Sequence, residues 1–198
     1  VFARDLGYTI KLLGIAKPQS GGLEARVHPA LVPTDTLLAN IKNEFNAIEI
    51  VGNAAGPQVY TGKGAGASPT ASAVVSDLLY QAELRIAGRQ RINRQLVDVE
   101  AAEPLATEDI ETSYYCRFTV QDTPGVLAHI ANIFATHNIS IARVIQEDRS
   151  ETEGGSVPLI MTTHDAREKS MSAAREEIDA LDVVTEASQI IRIERLND

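Results

Sequence analysis

Apolar and polar positions follow a strand-like order through the first part of the chain. Residues 9–16 are apolar on both alternating sides, which is typical of a strand covered on both faces. Beyond the Gly21-Gly22 turn, residues 24–32 alternate, and this alternation predicts a half-buried strand. Its apolar side carries Ala25, Val27 and Leu31, and its polar side carries Glu24, Arg26 and His28.

Turn signals divide the next stretch into shorter elements. Thr34 is predicted to cap a short apolar helix near residues 37–41. Strands are predicted at residues 45–51 and 58–61, and Gly, Asn and Pro at 52–57 predict the turn between them. Up to this point the chain therefore predicts a mostly open sheet with few helices.

A longer helix follows a glycine-rich loop. Ser68 is predicted as its N-cap, Pro69 suits the first helical position, and Gly88 predicts its end. One stripe of this helix is apolar. It carries Ala71, Val74, Val75, Leu78 and Ala82.

The loop itself, Gly62-Lys63-Gly64-Ala65-Gly66, is a candidate binding site. Glycines allow positive φ and close approach of the backbone, so Gly62, Gly64 and Gly66 suit the holding of an anion or the packing of a flat cofactor ring. A flexible strand-to-helix turn is the plainer alternative. The spacing matches neither the Rossmann fingerprint nor the Walker loop.

The second half of the chain predicts a separate module. Residues 99–112 are acidic with little periodicity, so the connection between modules is placed at 96–112. Strand, helix, strand, strand, helix and strand follow in that order, which predicts a four-stranded antiparallel sheet with both helices on one face. The strands are expected at 114–121, 139–146, 157–163 and 188–194, and the helices follow Pro124 and a capping box formed by Asp165 and Glu168.

The turn at residues 121–127 of this module is the stronger candidate site. Pro124 and Gly125 open a helix there, and backbone N–H groups at a helix start are unpaired and suited to a ligand carboxylate. The alternative is that Asp122 and Thr123 only cap the helix and that Asn138 only ends it.

Composition narrows the classes of function. The 198 residues include 27 acidic and 18 basic side chains, and the net charge of -9 argues against nucleic-acid or anionic-membrane partners. The single cysteine, Cys116, lies on an apolar strand face and is expected in the core of a protein of the reduced cytoplasm. No signal peptide or membrane span is predicted. The four histidines, His28, His129, His137 and His164, lack metal-ligand spacing, so no metal site is expected.

Three segments resemble one enzyme family. They are Asp5-Leu6-Gly7-Tyr8-Thr9-Ile10-Lys11-Leu12-Leu13-Gly14-Ile15-Ala16-Lys17, His28-Pro29-Ala30-Leu31-Val32-Pro33, and Gly64-Ala65-Gly66 with Pro69-Thr70-Ala71-Ser72-Ala73-Val74 and Asp77. Together they look like the C-terminal portion of homoserine dehydrogenase. The module at 113–198 resembles the ACT domain that many bacterial members carry.

The resemblance implies an α+β fold: a partial mixed-sheet domain with covering helices at 1–95, a linker at 96–112, and a ferredoxin-like βαββαβ ACT domain at 113–198. It implies NAD(P)-dependent interconversion of L-homoserine and L-aspartate 4-semialdehyde, in threonine, methionine and isoleucine biosynthesis. The family's Rossmann domain and catalytic Asp and Lys would precede Val1, so no catalytic residue is assigned and the fragment is expected to be inactive. NAD and NADP stay open.

The same resemblance implies two sets of site residues. For the nicotinamide cofactor they are Gly66, Gly64, Ala65 and Gly62. For an amino-acid effector of the ACT domain, with threonine expected, they are Asp122, Pro124, Gly125, Val126, Leu127, Asn138 and Ile139. A homo-oligomer, dimer or tetramer, and allosteric regulation are implied as well.

Two alternatives stay open. The chain could be a non-enzymatic ACT protein that binds an amino acid, with residues 1–90 as scaffold. It could instead be another ACT-bearing dehydrogenase, such as one acting on phosphoglycerate, but that resemblance explains only the tail. The glycine loop and the Leu12-Leu13-Gly14-Ile15-Ala16-Lys17 strand favour homoserine dehydrogenase, because a pure sensor needs neither.

Overall fold

A computed structural model describes residues 2–19, 21–88, 102–146 and 155–196. The chain forms two compact units. Residues up to Thr34 belong with Ala102–Leu196, and the residues from Asp35 onwards form the other unit. Both combine strands and helices, which confirms the predicted α+β class. The predicted domain boundaries at 95, 96–112 and 113 stay a prediction.

The first unit begins with a short helix and a long hairpin. Helix α1 (Phe2–Asp5) precedes strands β1 (Tyr8–Gln19) and β2 (Gly22–Pro33). The two strands pair antiparallel over their whole length, from Tyr8 opposite Pro33 to Gln19 opposite Gly22.

The burial of the two faces of the hairpin differs from the prediction. Val27 and Leu12, on the apolar face, are 75% and 72% exposed, whereas Glu24, on the polar face, is only 2% exposed. The alternation of residues 24–32 is therefore as predicted, but the polar side is the covered one, and of the apolar side only Leu31 is buried. The reason is a set of ion pairs with the end of the chain, described below.

The second unit contains a hairpin and a helix. A 3-10 turn at Leu38–Asn40 precedes strands β3 (Phe45–Gly52) and β4 (Gly56–Lys63), which pair antiparallel, and helix α2 (Ala67–Ile86). The hairpins β1–β2 and β3–β4 lie in different sheets, so the strands predicted for this stretch are divided between two sheets. No described residue of α2 is buried.

The first unit resumes with the predicted βαββαβ order, which the structure confirms. Its elements are β5 (Glu111–Gln121), α3 (Val126–Thr136), β6 (Ile141–Gln146), β7 (Ser156–Thr163), the short β8 (Ala166–Arg167), α4 (Glu168–Asp179) and β9 (Val184–Ile193). Strands β9, β5, β7 and β6 form the antiparallel sheet. The hairpin extends this sheet, because β2 pairs parallel with β9 at Ala30–Arg192 and Leu31–Ile193.

Apolar side chains cover both faces of the sheet. The larger cluster joins one face to helices α3 and α4, and includes Cys116, Phe118, Ile130, Phe134, Met161, Met171 and Ile178. Burial raises the pKa of the Cys116 thiol to about 12, as suits a core residue. The other face packs Tyr115, Ile160, Ile193 and Leu31 against residues of α1 and β1. Strand β5 is thus covered on both sides over 112–116 rather than half-buried.

Three predicted helix caps are wrong. Helix α2 begins at Ala67 with Gly66 as N-cap, so Ser68 lies inside it. Helix α4 begins at Glu168 without a side-chain cap, because the Glu168 carboxylate accepts hydrogen bonds from Tyr114 and Arg192 instead of closing a capping box. The short helix near residue 38 has Leu37 as its N-cap instead of the predicted Thr34, and the Ala39 amide donates to the Thr36 hydroxyl at 3.3 Å.

The predicted end of α2 at Gly88 is confirmed. Gly88 has φ of +62°, and its amide donates to the Arg85 carbonyl at 3.2 Å. A glycine after the last helical turn adopts this left-handed conformation without steric cost.

Residues 96–101 of the predicted linker lie outside the described residues. The described part, 102–112, is bonded to β2. The Leu23 amide donates to the Glu103 carbonyl at 2.8 Å, and the Leu105 amide donates to the Leu23 carbonyl at 2.9 Å. Across the described residues, no helix is both long and apolar enough to span a bilayer.

Candidate functional site

The turn between β5 and α3 leaves amide groups open. Gly125 is the N-cap of α3 and has φ of +95°, a left-handed conformation that L side chains rarely adopt. The His129 amide donates to the Gly125 carbonyl at 2.9 Å, which is the first regular bond of the helix. Among the described residues the amides of Gly125, Leu127 and Ala128 have no acceptor. They present a cluster of donors at the positive end of the helix dipole.

The side chains of the turn do not occupy these donors. Helix α3 has no side-chain cap, so neither Asp122 nor Thr123 plays the capping role that was the alternative. The Asp122 backbone is fixed by its amide, which donates to the Gly155 carbonyl at 3.0 Å, and its half-buried carboxylate has no partner among the described residues. Pro124 and Gly125 are exposed, and a Cβ at Gly125 would meet nothing within 4 Å. The turn is open to a small ligand.

Two residues of the predicted set belong to the protein interior. Val126 is 8% exposed and Ile139 is 4% exposed, and both lie in the larger apolar cluster. The Ile139 amide is already used, since it donates to the Phe134 carbonyl at 2.8 Å. Leu127, at 39% exposure, is the apolar side chain of the turn that a ligand can reach.

Asn138 lies far from the turn within one copy of the chain. It follows α3 with φ of +58°, and its amide donates to the Ala135 carbonyl at 3.0 Å, as expected of a residue that ends a helix. The 11 residues of α3 separate it from Gly125. At 1.5 Å per residue that is roughly 17 Å, too far for one amino acid to touch both. The structure therefore does not bring the two predicted groups together in one copy.

The glycine loop of the other unit has the same type of helix start. Gly66 is the N-cap of α2 with φ of +122°, and the Thr70 amide donates to its carbonyl at 3.1 Å. Within the described part of the chain, the amides of Ala67 and Ser68 have no acceptor. The loop is exposed, so these donors face outwards.

The other residues of the loop, Gly64, Gly62 and Ala65, differ in their surroundings. A Cβ on Gly64 would overlap the side-chain amide of Asn46, and the Gly64 amide is bonded to the Glu44 carbonyl at 2.8 Å. A side chain at position 64 would therefore require the exposed Asn46 side chain to move. Gly62 has an open surrounding that a Cβ would not disturb, and Ala65 is exposed.

Lys63 is held beside the loop by its own neighbours. Its ammonium lies 3.1 Å from the Glu44 carboxylate and 5.8 Å from the centre of the Phe45 ring. The pKa of Glu44 is lowered by a backbone hydrogen bond of its own residue and by Lys63. Lys63 therefore has a structural role on the surface.

Sequence reasoning missed three of the open donors, those of Ala67, Ser68 and Ala128. Their side chains carry no signal for binding. The available signal was positional, because the first residues of any helix lack an intrahelical acceptor and only the exact helix start identifies them. The structure fixes that start at Ala67 and Val126.

Two separate segments of the chain match known protein families. Residues 1–79 match the homoserine dehydrogenase family, and residues 114–183 match the ACT domain. The two matches cover both candidate helix starts.

Similar proteins extend along the whole chain. A homoserine dehydrogenase of Neisseria gonorrhoeae is 38% identical over 201 residues, covering 100% of this chain and 46% of that protein. One from Mycobacterium tuberculosis is 39% identical over 199 residues, covering 97% of this chain and 45% of that protein. The chain thus spans about half the length of the curated relatives that it matches.

A solved structure shares the fold. The crystal structure of a homoserine dehydrogenase from Thiobacillus denitrificans matches with a TM-score of 0.85 and 41% identity, over 98% of this chain and 44% of that one. A homoserine dehydrogenase of S. aureus matches with a TM-score of 0.58 at 24% identity and shows likeness of fold alone.

Proposed function

We propose that this chain, whose residues 1–79 belong to the homoserine dehydrogenase family and whose residues 114–183 form an ACT domain, is part of an NAD(P)-dependent homoserine dehydrogenase. The whole enzyme interconverts L-homoserine and L-aspartate 4-semialdehyde. The ACT domain binds an amino acid of the pathway, and L-threonine is the first candidate. The observation that carries the proposal is the alignment with such enzymes over nearly the entire chain.

The loop ending at Gly66 contacts the nicotinamide dinucleotide in this proposal. Two open amides at the start of a 20-residue helix, next to a glycine with positive φ, fit a group that carries negative phosphates. When bound, the dinucleotide accepts or donates the hydride. The chain's own contribution is to orient it through the amides of Ala67 and Ser68. The proton-transferring residues are proposed to lie outside this chain.

The enzyme assignment is tested with purified proteins and homoserine, recording NAD(P) reduction at 340 nm. The 198-residue chain is expected to show no turnover, and the longer natural enzyme is expected to be active. Turnover by the chain alone would contradict the division of labour proposed here. An inactive but folded longer protein that still binds an amino acid would instead favour the non-enzymatic ACT protein.

The loop is tested by alanine variants of two glycines in the longer enzyme. Gly66→Ala forces an L side chain into positive φ beside the open amides, so the KM for the cofactor should rise about tenfold, equivalent to the cost of one strained residue. Gly62→Ala is the matched control, because a Cβ there meets nothing, and its KM should change less than about twofold. Equal effects of both variants would reject the assignment of Gly66.

The effector is proposed to lie between two copies of the ACT domain. The amides of Gly125, Leu127 and Ala128 would hold its carboxylate, and Asp122 would accept from its ammonium. Because Asn138 is roughly 17 Å from the turn of its own copy, it would reach the ligand from the second copy. This arrangement supports the proposal of a homo-oligomer.

Titration calorimetry on the 198-residue chain with L-threonine tests this site. Gly125→Asp should weaken binding at least tenfold more than Gly125→Ala, because both strain the same backbone but only aspartate repels the ligand carboxylate. Asn138→Ala should weaken binding several-fold, whereas Asn132→Ala on the exposed part of the same helix should not. Binding that is unaffected by Gly125→Asp would refute the site.

Exposed apolar side chains are a further argument for the proposal that the enzyme forms an oligomer. On the hairpin they are Ile10, Leu12 and Val27, and in the second unit they include Phe45, Ile48, Ile50, Val51, Tyr60, Val74, Leu78 and Leu79. Apolar surface of this extent is typical of contact surfaces. Sedimentation of the longer enzyme is expected to give a dimer or tetramer, and a monomer at micromolar concentration would contradict the proposal.

A further inference from the structure

The hairpin and the ACT sheet meet along a very short backbone junction. Strands β2 and β9 pair at only two positions, Ala30–Arg192 and Leu31–Ile193. One more bond follows, from the Glu194 amide to the Leu31 carbonyl at 2.8 Å. A strand junction this short leaves the attachment of the hairpin dependent on side chains.

Buried charges add to that attachment just beyond the end of β9, beside the apolar packing of Leu31 against Ile193. The Glu194 carboxylate, 2% exposed, uses one oxygen for the Lys17 ammonium and the other for Arg26 Nη2 at 2.8 Å. Lys17 lies on β1 and Arg26 on β2, so one carboxylate of the ACT side holds both strands of the hairpin. We name Lys17, Glu24, Arg26 and Glu194 the seam cluster.

The seam cluster balances its charges internally. Arg26 also lies 2.5 Å from the carboxylate of Glu24, which is likewise 2% exposed. Two cations thus face two carboxylates. Glu24, Arg26 and Glu194 are shielded from water, whereas the Lys17 side chain is 42% exposed. Removing the charge of Glu194 leaves both cations with the single carboxylate of Glu24, and an uncompensated buried charge is costly.

The seam is connected to the candidate effector turn by one strand pair. Strand β5 leads directly into Asp122, and the Gln121 amide donates to the Val183 carbonyl at 2.8 Å at that end. At the other end the Thr112 hydroxyl donates to the Ile193 carbonyl at 3.0 Å, next to Glu194. The β5–β9 pairing between these ends spans Ser113 to Val120, roughly 24 Å at about 3.4 Å per residue.

We propose that Glu194 is a positioning residue that transmits effector binding at the ACT turn to the β1–β2 hairpin, which lies in the dehydrogenase segment. This inference rests on the proposed function and specifies its regulation. A shift of β9 against β5 at the turn moves the end of β9, and the seam cluster forces both hairpin strands to follow. The pairing shifts register at Arg117/Thr119 and at Thr119/Val120, close to the turn, where such a shift is least opposed by regular hydrogen bonds.

The test uses the longer enzyme and the variant Glu194→Gln, which keeps the shape of the side chain and removes its charge. Three quantities are measured: kcat/KM without effector, the Kd for L-threonine by calorimetry, and the ratio of kcat/KM with and without saturating L-threonine. We expect the first two to change less than about threefold, and the fold-change in kcat/KM that L-threonine causes to shrink at least fivefold towards one. A residue with a merely structural role would lower activity and binding without selectively removing the response.

Glu186→Gln is the matched control. Glu186 lies on the same strand, is exposed, and accepts from the Thr119 hydroxyl at 3.0 Å near the turn. It has no contact with the hairpin in the described residues, so the response ratio should equal that of the unmodified enzyme. A Glu186→Gln response as weak as that of Glu194→Gln would overturn the inference.

Lys17→Gln covers the case in which Glu194→Gln does not fold. Lys17 is 42% exposed at its side chain and its loss leaves the Arg26–Glu194 pair in place, so the variant should fold and lose about half of the response. A full response in either folded variant overturns the role of the seam. Absence of any amino-acid binding by the unmodified enzyme overturns the proposed function, and with it this inference.

Discussion

The two units of the chain differ in how they treat their apolar side chains. The ACT unit encloses Phe118, Phe134 and Met161 between its sheet and helices, each at 0% exposure. The unit from Asp35 buries Ala39 alone among its described hydrophobic residues, and Ile48 and Leu78 are each 65% exposed. The first unit encloses a core of its own, whereas the described hydrophobic side chains of the second unit are mostly exposed. The difference shows which region the chain stabilises by itself.

The largest expected loss of stability comes from a substitution in helix α3, and the matching substitution in helix α2 is expected to have little effect. Ile130 on α3 has no exposed surface, so Ile130→Ala should lower the free energy of unfolding by about 3 kcal/mol through lost burial and a cavity. Leu78→Ala on α2 should change it by less than about 0.5 kcal/mol. Urea unfolding of the 198-residue chain, recorded by far-UV circular dichroism, measures both. If Leu78→Ala lowers the free energy of unfolding by more than about 1 kcal/mol, the proposed difference between the two helices is wrong.

Two tyrosine variants compare a hydrogen bond of a buried tyrosine in the first unit with an exposed hydrogen bond of the second unit. Tyr114, 1% exposed, donates to the Glu168 carboxylate at 2.8 Å, so Tyr114→Phe should cost about 1.5 kcal/mol, typical of a hydrogen bond to a charged partner. Tyr60 donates to Gln58 on the exposed surface of the second unit at 2.9 Å. Tyr60→Phe should leave the free energy of unfolding unchanged within error. The same urea experiment decides, and equal losses would show that the two environments do not differ.

The smallest effect concerns pH and the hairpin. His28 Nδ1 lies 2.9 Å from the Pro29 carbonyl, and Nε2 lies 2.9 Å from Arg26 Nη1. Because arginine only donates, Nε2 accepts and the ring is neutral. Burial, with Arg26 nearby, lowers the pKa of His28 below 6.5. The unfolded chain therefore binds this proton first, and the stability contribution, complete above about pH 6.5, is lost as the pH falls further.

His28→Gln measures that contribution. The difference in free energy of unfolding between the unmodified chain and the variant should shrink between pH 7.5 and pH 5, by less than the loss at Tyr114. Asn132→Ala on the exposed face of α3 is the control, because neither side chain titrates, and its effect should not change over the same pH range. A difference that grows on acidification would mean that His28 is stabilised as the cation.

Much of the fold could be predicted because its signals are local. Alternation along residues 114–121, helical spacing around Ile130 and Ile178, and the positive φ of Gly88 each arise within a few residues. The same holds for the two helix starts near Gly66 and Gly125. These features follow from side-chain period and backbone sterics, and they need no knowledge of distant neighbours.

The candidate sites could be predicted only in part. Sequence identified the turn that opens α3 but not the positions of its unpaired amides, and it grouped Asn138 with the turn although the length of α3 separates them. It also placed Ile139 and Val126 in a binding set. The structure buries both side chains in the core, so a ligand contact of these residues stays a prediction for their backbone groups. Whether a side chain faces a ligand or the interior depends on the elements packed above it, which local pattern does not specify.

The sequence by itself determined the order of the main strands and helices, the conformations of Gly66, Gly88 and Gly125, and the likeness of the two segments to known families. Only the tertiary structure decided that the hairpin joins the ACT sheet beside β9 and that Glu24, Arg26 and Glu194 are its buried side. Periodicity along one strand cannot tell which face will be covered. That depends on opposite charges more than 160 residues apart meeting in space, where Arg26 and Glu194 find each other as partners in place of water.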